Sequence, residues 1–469
     1  MLSLEQKGYT QGEITGLPLV DRAKSQSARE SLAQEGFDPR AVVLENTEIL
    51  SRLGETPFKI IGQKLAKGED LGFENAFLGM TYVVGATNKG IFNEIRHDIQ
   101  NAHGLNDLRQ QELRGPGQTF LTAMAQKESA GTLTAEEIAG MAAAGMMDIN
   151  LRLGFSPYVL ETGGMGGDKG FVINGAKMKV INASTLAAIT LAALGIPVLK
   201  HGSYANTSAV GSTDAVEALG VNIYQSKFDD IERLFDNTNF YFSDAHIAKT
   251  IHDLSHSPFL RHETINHIIG PMTPPVDRKT KLNKIIGVNE GVHPALIAQA
   301  YQILHEKGYQ NVGNVLVVSG LSENFEGSGV DINDRGAMKP YMMLDEASPH
   351  STLLAVVQNG INKGSFIVRP EDFGAHIPVE DVQFVNSRQA LLEANGRALN
   401  GLSGANSDYL AMNASLGLLA AEYLEDESAI LNGELNSGYL QEAFTRCREV
   451  LDSGTAATHL KKIVEYSHG

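Results

Sequence analysis

The chain has 469 residues, 42% of them hydrophobic, and a formal net charge of −17. That supplies a large core for two closely joined domains, and the acidity excludes nucleic acid as a principal partner, because phosphate backbones are bound by basic stripes. The single cysteine, Cys447, excludes an intramolecular disulfide and predicts a reducing, cytoplasmic home.

Positions 1–16 alternate polar and charged residues without the apolar centre of a secretion signal, and no run reads as a membrane span, so no membrane partner is expected. Residues 1–56 carry no recognisable motif beyond a helix over about 39–53. From Phe58 the pattern turns helical: Ile60, Ile61 and Leu65 share a face, Lys67-Gly68-Glu69-Asp70 is a turn, and Phe73, Phe77 and Met80 recur at helical spacing. Thr134-Ala135-Glu136-Glu137 is a capping box that opens a helix reaching about Leu153. From Tyr158 onward, short apolar runs at 186–194, 198–199, 315–318 and 365–368 alternate with helices, the grammar of an α/β domain with a largely parallel sheet. Within 169–179 an Asn174-Gly175 turn between two short runs predicts a β-hairpin. Its Lys169, Lys177 and Lys179 either stand in solvent or reach toward a bound anion. The portion from about 245 to 267 is helical again, and Cys447 lies in a helical pattern over 440–451, where it packs.

The most informative stretch is Leu199-Lys200-His201-Gly202, followed by Gly211-Ser212-Thr213-Asp214 and the helical run 215–220. Small turn residues, one cation and one carboxylate sit where a strand hands over to a helix, and the N–H groups of such turns bind anionic oxygens. Alone, the segment is equally a strand, a polar loop and a helix capped by Ser212 or Thr213. A second glycine-rich turn, Glu161-Thr162-Gly163-Gly164-Met165-Gly166-Gly167-Asp168, and the cluster Asn182-Ala183-Ser184-Thr185 add another cradle beside the same apolar element. Two cradles around one element suit a phosphorylated sugar.

In this order the motifs resemble the anthranilate phosphoribosyltransferase family, whose pattern holds a Gly-Thr-Gly-Gly-Asp-Gly turn, an Asn-x-Ser-Thr cluster, a Lys-His-Gly turn with a later Gly-Ser-x-Asp, and a downstream Asp-Glu pair. Phe240-Tyr241-Phe242 with Ala245-His246, Ile269-Gly270-Pro271-Met272, Leu344-Asp345-Glu346-Ala347-Ser348, Pro370-Glu371-Asp372-Phe373-Gly374 and Leu451-Asp452-Ser453-Gly454 continue the match. The resemblance spans roughly 57–90 and 118–467, leaves 1–56 as an extension, and reads 92–117, 169–179 and 322–339 as insertions.

It implies the fold class α/β: a small discontinuous helical domain, 57–157 completed by about 245–268, and a large α/β domain, 158–244 and 269–469, with a mostly parallel central sheet and a hinge between the two. It implies a homodimer through the N-terminal helices, for which an exposed apolar face over Phe73, Phe77 and Met80 is suited. It implies phosphoribosyl pyrophosphate (PRPP) as donor, Mg²⁺ as cofactor, and displacement of pyrophosphate from the ribose C1 by a nitrogenous acceptor. Carried over residue by residue, Thr162, Gly163, Gly164, Asn182, Ser184, Thr185, Lys200, Ser208 and Gly211 hold donor phosphates. His201, Gly202, Ser203, His246 and Glu263 line the acceptor pocket, and Asp345, Glu346 and Ser184 serve the metal. Asp168, Lys169 and Asp214 are further candidates. An adjacent pair such as Asp345-Glu346 is in isolation a solvated turn; its place in the ordered motifs assigns it to metal.

The departures are informative. Ser203 stands where the family has Asn, and Glu263 where it has the arginine that meets the anthranilate carboxylate, so an acidic acceptor is repelled and a neutral or cationic amine or heterocycle is expected. Arg261 is on the wrong helical side to substitute for it. Met165 replaces the aspartate of the first turn, with Asp168 nearby, and Ala209 replaces a lysine. Two other readings follow: the turn is also similar to the Thr-Gly-Gly-Val-Gly-Asp-Lys of pyrimidine nucleoside phosphorylases, and the departures together suit a ligand-binding relative without turnover. His252, His256 and His262 are expected on the surface or in helix packing, and no His/Cys cluster has zinc spacing.

Overall fold

The computed structural model describes residues 19–154, 156–173, 176–204, 210–255, 264–402 and 404–469. Helix α1 (Leu19–Gly36) is followed by short helices Pro39–Leu44 and Thr47–Leu50, so the helix expected over 39–53 is broken at Glu45-Asn46. Helices α2 (Gly72–Thr87), α3 (Arg114–Ser129) and α4 (Ala135–Gly145) pack together. α2 and α4 touch backbone to backbone: a Cβ on Gly140 would lie 2.2 Å from the Phe73 carbonyl oxygen, so only glycine permits this approach. The same closeness corrects a sequence expectation. Phe73, Phe77 and Met80 are buried within the chain, not exposed for a second subunit.

α4 starts as expected: the Thr134 hydroxyl accepts from Glu137 N–H, and the Glu137 carboxylate accepts from Thr134 N–H. It stops at Gly145 rather than near Leu153. The buried Asp148 beyond it accepts from the Thr250 and Ile251 N–H groups at 2.6 and 2.7 Å, turning the chain to serve a distant segment. Helices Ala245–Ala248, His252–Ser255 and Asn266–Met272 lie on this helical group, contacting α1 to α4.

The sheet is built from β1 (Tyr158–Gly164), β4 (Val198–Gly202), β5 (Phe240–Asp244), β6 (Lys281–Gly287), β7 (Val312–Leu321), β9 (Thr352–Gln358) and β10 (Ile361–Val368) in spatial order 10-9-7-6-1-4-5. β5, β4, β1, β6 and β7 run parallel; β9 and β10 are antiparallel, and β8 (Met342–Leu344) pairs with β7. The short hairpin of β2 (Phe171–Ile173) and β3 (Ala176–Met178) stands apart from the sheet. The parallel strands are buried on both faces, which accounts for their unbroken apolar runs. The run 186–194 forms no strand; it belongs to helix α5 (Ala183–Ala193), its length favouring the helix. Helix α6 (Pro294–Glu306) lies against β7, β9 and α4, and α7 (Ala405–Ala421) packs with α5 over β1 and β6. Cys447 is buried in helix Ser437–Asp452. No helix among the described residues is long and apolar enough to cross a membrane.

Candidate active site at the sheet switch point

Strand order runs outward from β1 in both directions, to β4 and β5 on one side and to β6 and β7 on the other. In such sheets the crevice outside the carboxyl ends of the strands is where ligands bind. Here that crevice is a small cavity in which Thr162 and Gly163 of β1, Ser184 of α5, Asp345, Glu346 and Asn413 of α7 stand beside the apolar Ala187, Leu191, Ile285 and Val318. Its volume is about 20 Å³, room for one water molecule, so a larger ligand requires the walls to part. The buried hydroxyls of Thr162 and Thr185 have no hydrogen-bond partner, and an unpaired buried polar atom beside a cavity marks a place for a polar ligand.

The acidic pair is held by backbone. Gly166 N–H donates to Asp345 Oδ2 at 2.9 Å, and a Cβ on Gly287 would fall 1.5 Å from the Asp345 carbonyl oxygen, so β6 must end in glycine for residue 345 to reach the cavity. Burial, with Asp168 nearby, raises the Asp345 carboxyl. Burial also pushes Glu346 up to about 8 against the pull of Lys179, with Asp345 and Asp168 adding to the rise; the Tyr409 hydroxyl donates to Glu346 Oε1 at 3.0 Å.

The other candidates divide. Lys200 is buried and donates to the His201 carbonyl at 2.7 Å; burial lowers its ammonium to about 7, Asp345 pulling the other way. His201 is buried with Nε2 unpartnered, its pKa driven well below the ordinary value by burial and then by Lys249 and Lys200. The His246 ring lies 5.6 Å from that of His252. Gly202 has no room for a side chain against Ser212, and the exposed Ser203 accepts through its carbonyl from Thr213 N–H.

Several candidates are occupied by local structure. Asn182 exchanges hydrogen bonds with Asn395 and donates to the Val210 carbonyl. Asp214 accepts from Gly211 N–H, capping the helix Ser212–Ala218, and pairs with Arg388. Lys169 donates to the Lys339 and Met342 carbonyls. Gly164 faces Asp345, and Asp168 faces Lys177 and Lys179. Ser208 and Glu263, with Ala209, lie outside the described residues.

The family described as "Glycosyl transferase family, a/b domain" matches residues 162–328. The anthranilate phosphoribosyltransferase of Pyrococcus abyssi is 31% identical over 300 residues, 62% of this chain and 78% of its own length. The chain belongs to the anthranilate phosphoribosyltransferase family. By that membership it is an enzyme of the pentosyltransferase class. The family member of Methanosphaera stadtmanae is 28% identical over 356 residues, 75% of this chain and 88% of that one. In fold, the chain is similar to the anthranilate phosphoribosyltransferase of Thermus thermophilus (TM-score 0.59, 24% identity, 87% of this chain and 99% of that one). It is similar also to that of Saccharomyces cerevisiae solved in complex with PRPP and Mg (TM-score 0.60, 19% identity, 87% and 96%).

Within a largely apolar lining, Asp345, Glu346 and Ser184 bring oxygen atoms to the cavity, the donor type of a hard divalent cation. Among the described residues no three His, Cys, Asp or Glu side chains form a complete cage. That fits Mg²⁺, which keeps waters and is commonly held by one or two carboxylates plus substrate phosphates. Sequence reasoning missed Asn413 and Tyr409, which α7 brings from the far end of the chain. Polarity alone does not single them out, because the same helix also carries Asn406, Ser407, Asp408 and Ser415. It missed Lys249 too, buried and donating to the Gly270 carbonyl beside the acceptor-side histidines.

Proposed function

We propose that the protein transfers the 5-phosphoribosyl group of PRPP, with Mg²⁺, to an aromatic amine or nitrogen heterocycle other than anthranilate. The observation that carries the donor half is the convergence of Thr162, Gly163, Ser184, Asp345 and Glu346 on one cavity at the switch point of a family member. In the reaction the C1–O bond to pyrophosphate breaks, a C1–N bond forms, the electron pair leaves on pyrophosphate, and the acceptor nitrogen gives up a proton. The Thr162 and Ser184 hydroxyls bind diphosphate oxygens, and Lys200 adds positive charge near them. Asp345, Glu346 and Ser184 would hold Mg²⁺, which would supply positive charge to offset that on the departing pyrophosphate. His201 and His246 orient the acceptor on the opposite side of the ribose.

The acceptor half rests on Glu263 and Ser203, which replace the cation and amide expected to receive a carboxylate. The cavity's walls all belong to the α/β domain, so admitting the donor requires side chains of that domain to part. A cytoplasmic homodimer completes this reading. The test offers PRPP and Mg²⁺ with anthranilate and a panel of neutral amines and nitrogen bases, following pyrophosphate release. Turnover with a neutral or cationic acceptor and none with anthranilate is expected, and anthranilate as the best acceptor refutes it. Product that depends on orthophosphate identifies a phosphorylase. Donor binding without transfer to any acceptor identifies a non-catalytic relative.

A further inference from the structure

Between Gly164, where β1 ends, and Phe171, where β2 begins, the chain has no regular secondary structure, so the glycine-rich turn keeps its shape through the groups that grip it. Gly166 sits in the left-handed region at φ 67°, and both of its backbone polar groups are taken. Its N–H donates to Asp345 Oδ2 at 2.9 Å, and its carbonyl accepts from Asn289 Nδ2 at 2.8 Å. One residue earlier, Met165 N–H donates to the Gly287 carbonyl at 2.9 Å.

Asn289 lies in the loop between β6 and α6 and is buried. Its amide is used at both ends: while Nδ2 reaches Gly166, Oδ1 accepts from Gly291 N–H at 2.9 Å. An aspartate of the same shape keeps the second bond, since either residue closes such a turn, but a carboxylate has no hydrogen to offer the Gly166 carbonyl. The loop is braced from the helical group. Glu128 of α3 stands so close to Gly291 that a Cβ there would lie 2.4 Å from Glu128 Oε1 and 3.0 Å from Asn289 Oδ1. The same Glu128 oxygen lies 2.8 Å from His267 Nε2, and His267 Nδ1 lies 2.7 Å from the Thr264 carbonyl. A continuous run of contacts therefore joins His267, Glu128, Gly291, Asn289 and Gly166 to Asp345.

We propose that Asn289 is a positioning residue of the donor site: its amide holds the Gly166 carbonyl, and with it the turn at 162–167, in the shape that receives the diphosphate, while Glu128 holds Asn289 in place from the helical group. The turn is thereby fastened to the helical group as well as to the sheet. The role toward a diphosphate rests on the phosphoribosyl-transfer reading above; the grip on Gly166 does not.

The test compares Asn289→Asp, Asn289→Ala and Gly291→Ala with the unaltered protein, by amide hydrogen exchange without ligand and by calorimetric titration with PRPP in the presence of Mg²⁺. In both Asn289 variants exchange over 164–168 is expected to run about ten-fold faster, the effect of one lost buried hydrogen bond, with exchange over 298–305 of α6 unchanged as the sign of an intact fold. Their affinity for PRPP is expected to fall about ten-fold. Aspartate and alanine separate the alternatives. A residue that serves only its own turn is replaced by aspartate without effect, and a simple charge effect on an anionic ligand spares alanine; either pattern overturns the proposal. Gly291→Ala is expected to push Glu128 aside and to speed exchange over 264–268 as well as 164–168, and unchanged exchange over 164–168 overturns the bracing by Glu128. Failure of the unaltered protein to bind PRPP overturns the phosphoribosyl reading, while the ligand-free exchange comparison still decides the role of Asn289.

Discussion

Glu161 and Lys284 are register partners on adjacent central strands and form an ion pair with both side chains fully buried. Each stands one residue before a wall of the cavity, Thr162 on β1 and Ile285 on β6. Side chains alternate along a strand, so the pair lies across the sheet from the cavity and sets the spacing of the strands that frame it. Burial lowers the Lys284 ammonium well below its ordinary value, so an isolated Lys284 would be strongly disfavoured there as a cation. Removing one partner leaves the other buried and uncompensated, at a cost of about 3–5 kcal/mol. Against a total stability on the order of 5–15 kcal/mol, that is a large fraction. Replacing both by apolar side chains of similar volume removes the desolvation penalty with the attraction, and is expected to be neutral or stabilising by about 1–4 kcal/mol. Urea unfolding of Glu161→Leu, Lys284→Met and the double variant gives the coupling energy directly. Single costs below about 1 kcal/mol, or a double cost equal to the sum of the singles, refute the reasoning.

Gly287→Ala drives a Cβ into the Asp345 carbonyl; it is expected to cost about 1–3 kcal/mol and to weaken pyrophosphate-dependent Mn²⁺ binding at least ten-fold, and unchanged Mn²⁺ binding counts against the placement of Asp345. Arg29 of α1 donates to the His246 and Lys249 carbonyls at 3.3 and 3.2 Å and pairs with Asp253 at 3.0 Å. Arg29→Ala is expected to speed amide hydrogen exchange across 245–255 while leaving 135–145 protected, and equal exchange in both segments shows that α1 does not hold the acceptor side. Lys200 and Lys249 are each lowered by burial to about 7 from 10.5, so between those values the folded protein binds fewer protons than the unfolded chain. Stability contributed through them therefore rises with pH across that window. Lys200→Met should flatten the rise, and parallel stability profiles for variant and parent would exclude it.

The sequence made part of the cavity lining legible because its pieces are local: glycine turns, a hydroxyl cluster and a strand end lie within about twenty residues of one another, as they do from Thr162 to Ser184. The Thr134 capping box and the pairing of β2 with β3 were legible for the same reason; Asn174 and Gly175 themselves lie outside the described residues. Burial was not. Phe73, Phe77 and Met80 read as a free apolar face because periodicity identifies a face without showing what covers it, and here α3 and α4 do. Asn413, Tyr409 and Lys249 escaped because they act across the fold, from a helix more than two hundred residues downstream of the cradle or from a short segment with no motif. Asp214 and Asn182 read as ligand contacts because capping and anion binding use the same residue types.

None of the segments that this chain adds to the family pattern lines the cavity. The hairpin insertion sets Lys179 and Lys177 against the carboxylates, and its Lys169 is fastened to the carbonyls of Lys339 and Met342, where the 322–339 insertion rejoins the sheet. The N-terminal extension sends Arg29 to the backbone of 246–249 and lays Lys24 over the Tyr224 ring at 5.1 Å. Glu35 accepts from Phe228 N–H, so α1 spans from the helix after β4 to the acceptor-side segment. Residues lining the cavity, by contrast, come from β1, β6 and β7, from α5 and α7, and from the Asp345-Glu346 pair. A reacting centre tolerates little displacement, because a shift of about 1 Å is costly to catalysis, whereas a rim can change its charge and fastening without moving the reacting atoms. Additions that stay out of the lining leave the geometry of the shared strands in place.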